Sequence, residues 1–275
     1  MNPREVMEHY KLNPKKSLGQ NFMHDPNTIE KIVTTAELMP EDTVVEIGPG
    51  TGELTARLAD YARHVMAIEV DERLAPLLED RFAQTSNVYF MFQDVLKTDI
   101  LSLVGGKEFV VVANVPYYIT TAIIQHLLEQ PKRPKRIVMT MQYEVAERIC
   151  AKPGDMTILS NSVQYYGKPT IVSKLNPAVF WPRPNINSAI LKIDVYEQPS
   201  VHVDDEKLFF RVVKAGFSQK RKQVKNALSG GLQVKSKVAQ AYLDTAEIDS
   251  KRRAETFTLE EWAHLTQTIQ MMQNS

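Results

Sequence analysis

The stretch from Val44 to Thr55, VVEIGPGTGELT, decides the predicted fold. Its apolar beginning is typical of a buried strand, and the residues after the glycines favour a helix. Gly48, Gly50 and Gly52 lie in the turn between the two, where glycine lets the backbone approach a ligand closely. The spacing, E-x-G-x-G-x-G, differs from the G-x-G-x-x-G turn of dinucleotide-binding proteins. We therefore expect a strand–turn–helix unit that binds a different small ligand.

Apolar, strand-like runs alternate with helical segments around this unit. Strands are expected at residues 43–48, 64–70, 88–94, 109–115 and 136–142. Segments such as GELTARLADYA and ERLAPLLEDRFAQ, which favour helices, separate them. The alternation predicts an α/β fold with a mostly parallel sheet and helices on both faces. Two later runs, 162–175 and 188–196, follow without a long helix between them, so we expect them to pair antiparallel at one edge of the sheet.

Strand signals end at about Pro199, and amphipathic helical segments follow. We therefore expect a catalytic α/β domain over residues 1–199 and a small, all-helical C-terminal domain over residues 200–275. Residues 1–17 are polar overall and are expected to form a flexible arm.

Composition excludes several classes of protein. Of the 275 residues 43% are hydrophobic and 24% are charged, which is typical of a globular protein. No apolar run approaches the roughly 18 residues of a membrane span, and the N-terminus lacks the apolar core of a signal peptide. Cys150 is the only cysteine, which fits a reducing cytoplasm, and the histidines show no metal-binding spacing. We expect a cytoplasmic protein without a membrane or metal partner.

Acidic side chains stand at the ends of the next two predicted strands. Glu69 lies 21 residues beyond Gly48, where an acid can accept hydrogen bonds from ribose hydroxyls. Asp71 competes for this role but lies two residues further along. Asp94 ends the third strand and can accept a hydrogen bond from an adenine amino group. Because the carboxyl ends of parallel strands meet at one edge, these residues predict a nucleoside pocket.

The fourth predicted strand ends on Asn114-Val-Pro-Tyr-Tyr118, at the same edge. Asn114–Tyr117 resembles the motif of methyltransferases that modify planar amino groups. Such an amine is a poor nucleophile because its lone pair is delocalised into the ring. The side-chain oxygen of Asn114 and the carbonyl of Val115 could accept its two N–H bonds and release that lone pair. Pro116 stiffens the turn, and Tyr117 can stack on a flat base. Such a reaction depends on alignment and electrostatics rather than on a strong base.

These patterns carry a resemblance. The glycine turn resembles the first motif of the Rossmann-like class I S-adenosylmethionine methyltransferases, and Asn114–Tyr117 resembles the motif of enzymes that methylate planar amino groups. Three further blocks extend the resemblance to the KsgA family of small-subunit rRNA adenine dimethyltransferases: KKSLGQNFMHD, VFWPRPNINSAILKI and GFSQKRKQVKNAL. The resemblance implies that Asn21 and Met23 help close over the cofactor and that Phe180 flanks the target base opposite Tyr117.

The family resemblance also implies substrate and partners. S-adenosylmethionine would donate two methyl groups to each of two adjacent adenosines near the 3′ end of small-subunit rRNA, leaving S-adenosyl-L-homocysteine. The substrate would be an immature small ribosomal subunit. The enzyme would act as a monomer and would have a role in subunit biogenesis. Basic residues of the third block would contact RNA phosphates, although each alone could be part of a solvated helix face. These residues are Lys220, Arg221, Lys222 and Lys225.

Two other interpretations stay open. An Erm-type large-subunit rRNA adenine methyltransferase would use the same chemistry on a different RNA. A non-catalytic ribosome-assembly factor could retain the fold and the contact with the subunit. The presence of Gly48, Glu69, Asp94, Asn114 and Tyr117 favours a chain that has kept catalysis.

Overall fold

The structure is a computed structural model that describes residues 3–274. Its strands are β1 Phe22–Met23, β2 Thr43–Ile47, β3 His64–Glu69, β4 Val88–Phe92, β5 Phe109–Asn114, β6 Arg136–Gln142, β7 Gly167–Leu175, β8 Phe180–Trp181 and β9 Ser188–Val195. Its helices are α1 Pro3–His9, α2 Pro26–Ala36, α3 Glu53–Ala59, α4 Ala75–Arg81, α5 Ile100–Leu103, α6 Thr120–Leu128, α7 Tyr143–Ile149, α8 Ile158–Tyr166, α9 Glu206–Gly216, α10 Val224–Gly231, α11 Ser236–Thr245 and α12 Leu259–Asn274.

Seven strands form one sheet in the order β4-β3-β2-β5-β6-β9-β7. The pairs β2–β3, β2–β5, β3–β4 and β5–β6 are parallel, whereas β9 runs antiparallel to β6. The five strands expected from the alternating pattern are all present in this sheet. The predicted α/β fold with a mostly parallel sheet is therefore confirmed, and β7 and β9 lie together at one edge as expected.

Helices cover the sheet because its strands are apolar on both faces. In β5, Val110 and Val112 pack in a cluster with Ile32 of α2, while Val111 and Ala113, which point to the other face, are also buried. Helix α2 begins where Asp25 accepts a hydrogen bond from the backbone N–H of Thr28 at 2.8 Å. Among residues 3–274, no helix is both long enough and apolar enough to span a membrane.

The expected strand at 162–175 is too long, because its first five residues belong to helix α8. Thr157 caps that helix: its side chain accepts the N–H of Ser160, and the Ser160 hydroxyl accepts the N–H of Thr157 in return. Strand β7 begins only at Gly167. The run Val163–Tyr166 is therefore part of a helix. In so short a run, length and periodicity do not distinguish a helix from a strand.

The chain divides into two compact units. One comprises the chain up to Ala146 together with Lys168–Val195, and the other comprises Glu147–Gly167 with the chain from Tyr196 onward. The chain passes between the units three times, and the expected boundary near residue 199 lies close to the last passage, at Val195 and Tyr196. Residues 147–167, however, belong with the C-terminal unit. In that unit Trp262 is fully buried, and its ring lies so close to Gly216 that a Cβ on this glycine would clash with it.

The N-terminal segment, which is expected to be a flexible arm, contains a helix. Pro3–His9 forms helix α1, and Met7, which is 1% exposed, packs in a cluster with Phe22 and residues of α4. The Tyr10 hydroxyl also donates a hydrogen bond to Asp80 at 2.5 Å. Apolar residues at Val6 and Met7 give this otherwise polar segment a face to bury. Met1 and Asn2, which the predicted arm also included, lie outside the described residues.

Candidate active site

One cleft at the carboxyl ends of the parallel strands brings together every residue predicted for catalysis or cofactor binding. They come from the turn after β2, the ends of β3, β4 and β5, and the short pair β1–β8. The predicted residues that line the cleft are Asn21, Met23, Gly48, Gly50, Glu69, Asp94, Asn114, Val115, Pro116, Tyr117 and Phe180.

The turn after β2 needs glycine because protein atoms press against it. Gly48 and Gly50 have φ angles of +75° and +57°, a region in which side chains are strained. A Cβ on Gly48 would lie 3.1 Å from both the carbonyl oxygen of Asn114 and a methyl group of Val115. A Cβ on Gly50 would lie 2.8 Å from the ring of Phe22. The turn therefore forms one wall with the segment after β5.

Glu69 ties this turn to the end of β3. Its two carboxylate oxygens accept the backbone N–H groups of Asp71 at 2.9 Å and Gly50 at 3.2 Å. The residue is 5% exposed, and burial raises the pKa of its carboxyl, an effect that these backbone donors oppose. The carboxylate is thus held at the cleft by neighbouring backbone, as a ribose-binding acid would need to be.

Asp71, the competing acid, does not line the cleft. Its carboxylate accepts two hydrogen bonds from the Arg73 guanidinium, at 2.8 and 2.6 Å, and one from the Gln20 amide at 2.8 Å. The Arg73 guanidinium lowers the pKa of the Asp71 carboxyl. Asp71 therefore anchors the loop that carries Asn21 to the end of β3, and Glu69 faces the ligand space.

The N-terminal signature and the proline block meet as a two-stranded pair. Met23 is the backbone partner of Phe180, and Phe22 is the partner of Trp181. The loop just before β1 reaches the end of β5, since the Asn21 carbonyl accepts a hydrogen bond from the Asn114 side chain at 3.4 Å. Residues that are distant in sequence thereby line the same cleft.

Asp94 has a structural task as well as a place in the cleft. One of its oxygens accepts the backbone N–H of Leu96 at 3.0 Å and caps the turn that follows β4. A carboxylate accepts several hydrogen bonds, so this cap leaves acceptor capacity for a ligand. The predicted adenine contact at Asp94 stays a prediction.

Asn114 and Tyr117 are each held by a side chain that the sequence did not single out. The Asn114 Oδ1 atom accepts a hydrogen bond from the Thr140 hydroxyl at 2.6 Å, and the Tyr117 hydroxyl lies 2.5 Å from the Ser188 hydroxyl. Burial raises the pKa of the Tyr117 phenol, and the Ser188 hydrogen bond opposes that shift. A polar residue inside the apolar run RIVMTMQ was the signal for Thr140. Tyr118 also lines the cleft and is 70% exposed at its rim.

The acid of the glycine motif, Glu46, lies beneath the turn rather than in the cleft. It is fully buried, and within residues 3–274 neither of its side-chain oxygens has a hydrogen-bond partner. Burial raises the pKa of the Glu46 carboxyl to about 8. Glu46 is therefore mostly protonated at neutral pH, which avoids an uncompensated charge in the core.

The predicted RNA-binding residues belong to the C-terminal unit. Lys220, Arg221 and Lys222 are exposed in the connection between α9 and α10, and Lys225 is half-buried in the first turn of α10. The first three therefore lie in a loop, not on the helix that the sequence suggested. In the part of the chain that the structure describes, no group of three or more His, Cys, Asp or Glu side chains could hold a metal ion.

Comparisons with known proteins find a matching family model and similar relatives. A family model described as Ribosomal RNA adenine dimethylase matches residues 11–270. Ribosomal RNA small subunit methyltransferase A of Moorella thermoacetica is 46% identical over 268 residues, which cover 94% of this chain and 93% of that protein. The protein of the same name from Alkaliphilus metalliredigens is 44% identical over 273 residues, covering 97% and 95%.

Solved structures show the same fold. The 23S rRNA methyltransferase ErmE has a TM-score of 0.72 and 28% identity, covering 91% of this chain and 100% of that chain. A dimethyladenosine transferase from Plasmodium falciparum has a TM-score of 0.77 and 24% identity, covering 89% and 95%. The class I methyltransferase fold expected from the glycine turn is thereby confirmed. The match of the family model and of relatives over nearly the whole length shows that the chain belongs to the ribosomal RNA adenine dimethylase family, as an rRNA adenine dimethyltransferase.

Proposed function

We propose that the chain uses S-adenosylmethionine to dimethylate N6 of two adjacent adenosines near the 3′ end of small-subunit rRNA. The single observation that carries the chemistry is the contact between two parts of the cleft. The glycine turn at Gly48 lies against the backbone of Asn114, so a cofactor at the turn and an amine at Asn114 would share one wall.

The side chains of the cleft suit S-adenosylmethionine. The buried Glu69 carboxylate offers acceptors for the two ribose hydroxyls, and Asp94 offers an acceptor for the adenine amino group. Apolar side chains of Met23 and Val70 line the remaining surface, which suits a flat ring. The glycine turn leaves backbone close to the methionine end.

S-adenosylmethionine, when bound, supplies an electron-poor methyl carbon to the N6 nitrogen of the target adenine. Asn114 Oδ1 and the Val115 carbonyl accept the amine N–H bonds and turn its lone pair out of conjugation with the ring. Tyr117 and Phe180 hold the flipped base between aromatic rings. These residues align and stabilise rather than deprotonate, because the methylated ammonium is acidic and releases its proton to solvent.

The RNA substrate is proposed from the relatives. The proteins from Moorella thermoacetica and Alkaliphilus metalliredigens are named as methyltransferases of the small subunit, whereas ErmE, named for 23S rRNA, is less similar in sequence. We place the reaction on an immature small subunit in the cytoplasm and the enzyme as a monomer. The exposed loop Lys220–Lys222, with Lys225, would contact RNA phosphates.

Methyl transfer to separated substrates tests this proposal. Unmethylated small subunits, large subunits and free rRNA are each incubated with S-adenosylmethionine labelled on its methyl group, and the RNA is then digested to nucleosides. We expect labelled N6,N6-dimethyladenosine from small subunits alone. Label in large-subunit RNA alone would assign the chain to the Erm-type activity instead.

Two variants accompany the assay. Asn114→Ala removes the proposed acceptor and is expected to lose at least a hundredfold in rate, while Asn27→Ala, an exposed residue of α2 outside the cleft, keeps the wild-type rate. Binding to small subunits without any transfer by the wild-type chain would leave only a role in subunit assembly.

A further inference from the structure

Thr140 lies directly beside Asn114 in the sheet. The two are backbone partners in the parallel pair β5–β6, and the Thr140 hydroxyl donates a hydrogen bond to Asn114 Oδ1 at 2.6 Å. Thr140 is 1% exposed, in an apolar strand between Met139 and Met141. Its hydroxyl is therefore shielded from water, and the amide of Asn114 provides its acceptor.

The placement of this hydroxyl is unfavourable unless it has a partner. Valine has nearly the same shape and would bury a methyl group instead, whereas a buried hydroxyl without a hydrogen bond destabilises the fold. The Thr140 hydroxyl offsets that cost by donating to Asn114, the residue of the neighbouring strand β5 that lines the cleft. Its position indicates a task in orienting Asn114 rather than in filling the core.

The other end of the amide has a partner of opposite character. Asn114 Nδ2 donates to the backbone carbonyl of Asn21 at 3.4 Å. A carbonyl can only accept, so the amide nitrogen must face Asn21, and the amide oxygen must face Thr140. The reverse orientation would set two oxygens against each other. The Asn21 carbonyl therefore selects one of the two orientations of the amide, and in that orientation the Thr140 hydroxyl, which can donate or accept, donates to the amide oxygen.

We infer that Thr140 is a positioning residue for methyl transfer, which holds the Asn114 oxygen in the orientation that accepts the target amine. The inference rests on the proposed function of Asn114. An amide oxygen has two lone pairs, so the bond from Thr140 leaves one for the N–H of the substrate. Preorganisation of this kind acts on the rate of the aligned complex more than on its formation.

Thr140→Val and Thr140→Ser separate the hydroxyl from the shape of the side chain. In the methyl-transfer assay with unmethylated small subunits, we expect Thr140→Val to lower kcat about tenfold and to change the KM values for subunits and S-adenosylmethionine less than twofold. Thr140→Ser, which keeps the hydroxyl, should recover kcat to within about threefold of wild type. Equal rates for the two variants, reduced or not, would overturn the inference.

A matched control removes a different buried hydroxyl. Thr266, also 1% exposed, donates to the Trp262 carbonyl within α12, and Thr266→Val should leave kcat unchanged. A loss as large as that of Thr140→Val would show that any buried hydroxyl matters equally, and it would overturn the inference. Asn114→Ala distinguishes the two proposals. If Asn114→Ala is inactive while Thr140→Val is fully active, only the inference about Thr140 fails. If Asn114→Ala is itself fully active, the proposed role of Asn114 fails first.

Discussion

Gly48 lies against the backbone of Asn114, so closely that a Cβ on the glycine would meet the Asn114 carbonyl oxygen at 3.1 Å. Gly48 follows β2 and Asn114 is the last residue of β5, and these neighbouring parallel strands end at the same edge of the sheet. The wall of the proposed cofactor site and the proposed acceptor of the target amine are therefore in direct contact. A displacement of one changes the position of the other, and such coupling can be measured.

Gly48→Ala should weaken both binding and catalysis. The new methyl group forces the turn away from Asn114, and the φ of +75° adds backbone strain of roughly 1–2 kcal/mol. We expect S-adenosylmethionine affinity, measured by calorimetry, to fall at least tenfold. Gly105→Ala is the matched control, because Gly105 has a φ of +60° but a Cβ added there would have no atom within 4 Å. The Gly105→Ala variant should lose a similar amount of stability through backbone strain, but its affinity for S-adenosylmethionine should be unchanged.

Glu69→Gln should lower the affinity for S-adenosylmethionine by roughly ten- to a hundredfold, since hydrogen bonds to a charged acceptor contribute about 1.5–3 kcal/mol. The pKa of the Glu69 carboxyl is raised, so on acidification this carboxylate takes up a proton at a higher pH than an ordinary glutamate does. The affinity of the wild-type chain for S-adenosylmethionine should therefore begin to fall at that higher pH. Calorimetry over a pH series would detect both effects. Glu72→Gln, an exposed neighbour, should show neither. A Glu69→Gln variant with the pH profile of the wild type would contradict the assignment.

Glu46 should make the stability of the fold depend on pH. Its pKa is raised from 4.5 to about 8, so the folded chain retains a proton that the unfolded chain has lost between these values. The stabilisation is fully present below pH 4.5 and is lost as the pH rises toward 8, at up to about 1.4 kcal/mol per pH unit. Relative to wild type, Glu46→Gln should therefore gain roughly 3–5 kcal/mol in the free energy of unfolding across this range.

Urea denaturation at several pH values measures this difference directly. Groups that do not interact with Glu46 titrate alike in both proteins, so their contributions cancel, and only groups coupled to it, such as Glu69, add to the difference. The exposed Glu41→Gln provides the control and should differ from wild type by a constant amount. A constant difference for Glu46→Gln as well would mean that Glu46 is charged in the folded chain.

Much of the site could be predicted because it depends on residues next to one another in sequence. The strand–turn–helix at Gly48 and the strand ends at Glu69, Asp94 and Asn114 follow from local patterns, and parallel pairing alone brings them to one edge. The parallel direction of the strands followed from the alternation of strands and helices. These residues of the cleft could therefore be predicted from the sequence alone.

The residues that sequence analysis missed contact the site residues from other secondary-structure elements. Thr140 and Ser188 contact Asn114 and Tyr117 from strands β6 and β9, and their relevance depends on a register that the pattern of one strand does not contain. Helix α1 was missed because only Val6 and Met7 supply its buried apolar face, together with Pro3, in a segment too short and polar to show a period.

Ser188 and Tyr117 should act as a unit. Their hydroxyls are 2.5 Å apart, and Ser188 is buried at the start of β9, so this bond fixes the ring that is proposed to stack on the target base. Tyr117→Phe and Ser188→Ala should each lower kcat about three- to tenfold, and the double variant should be no slower than the slower single variant. Tyr89→Phe, which removes an exposed hydroxyl of β4, is the control. Rate losses that multiply in the double variant would show that the two hydroxyls act independently.

The loop between α9 and α10 should contribute to RNA binding through charge alone. Lys220, Arg221 and Lys222 are exposed there, and each phosphate contact releases condensed counterions. Replacing one of them with glutamine should reduce the slope of log affinity against log salt concentration by about 0.7–1. Lys107→Gln, exposed just before the amino end of β5 and hence at the opposite edge of the sheet from the cleft, should leave the slope unchanged.

Binding of small-subunit rRNA at several salt concentrations gives these slopes, and methyl transfer at saturating subunit concentration gives the rate after binding. Because the loop residues do not line the cleft, their variants should keep the wild-type kcat while their affinity falls. A lower kcat with an unchanged salt slope would mean that the loop affects the reaction through the fold of the C-terminal unit, not through phosphate contacts. An unchanged slope and an unchanged kcat would remove these residues from the RNA-binding surface.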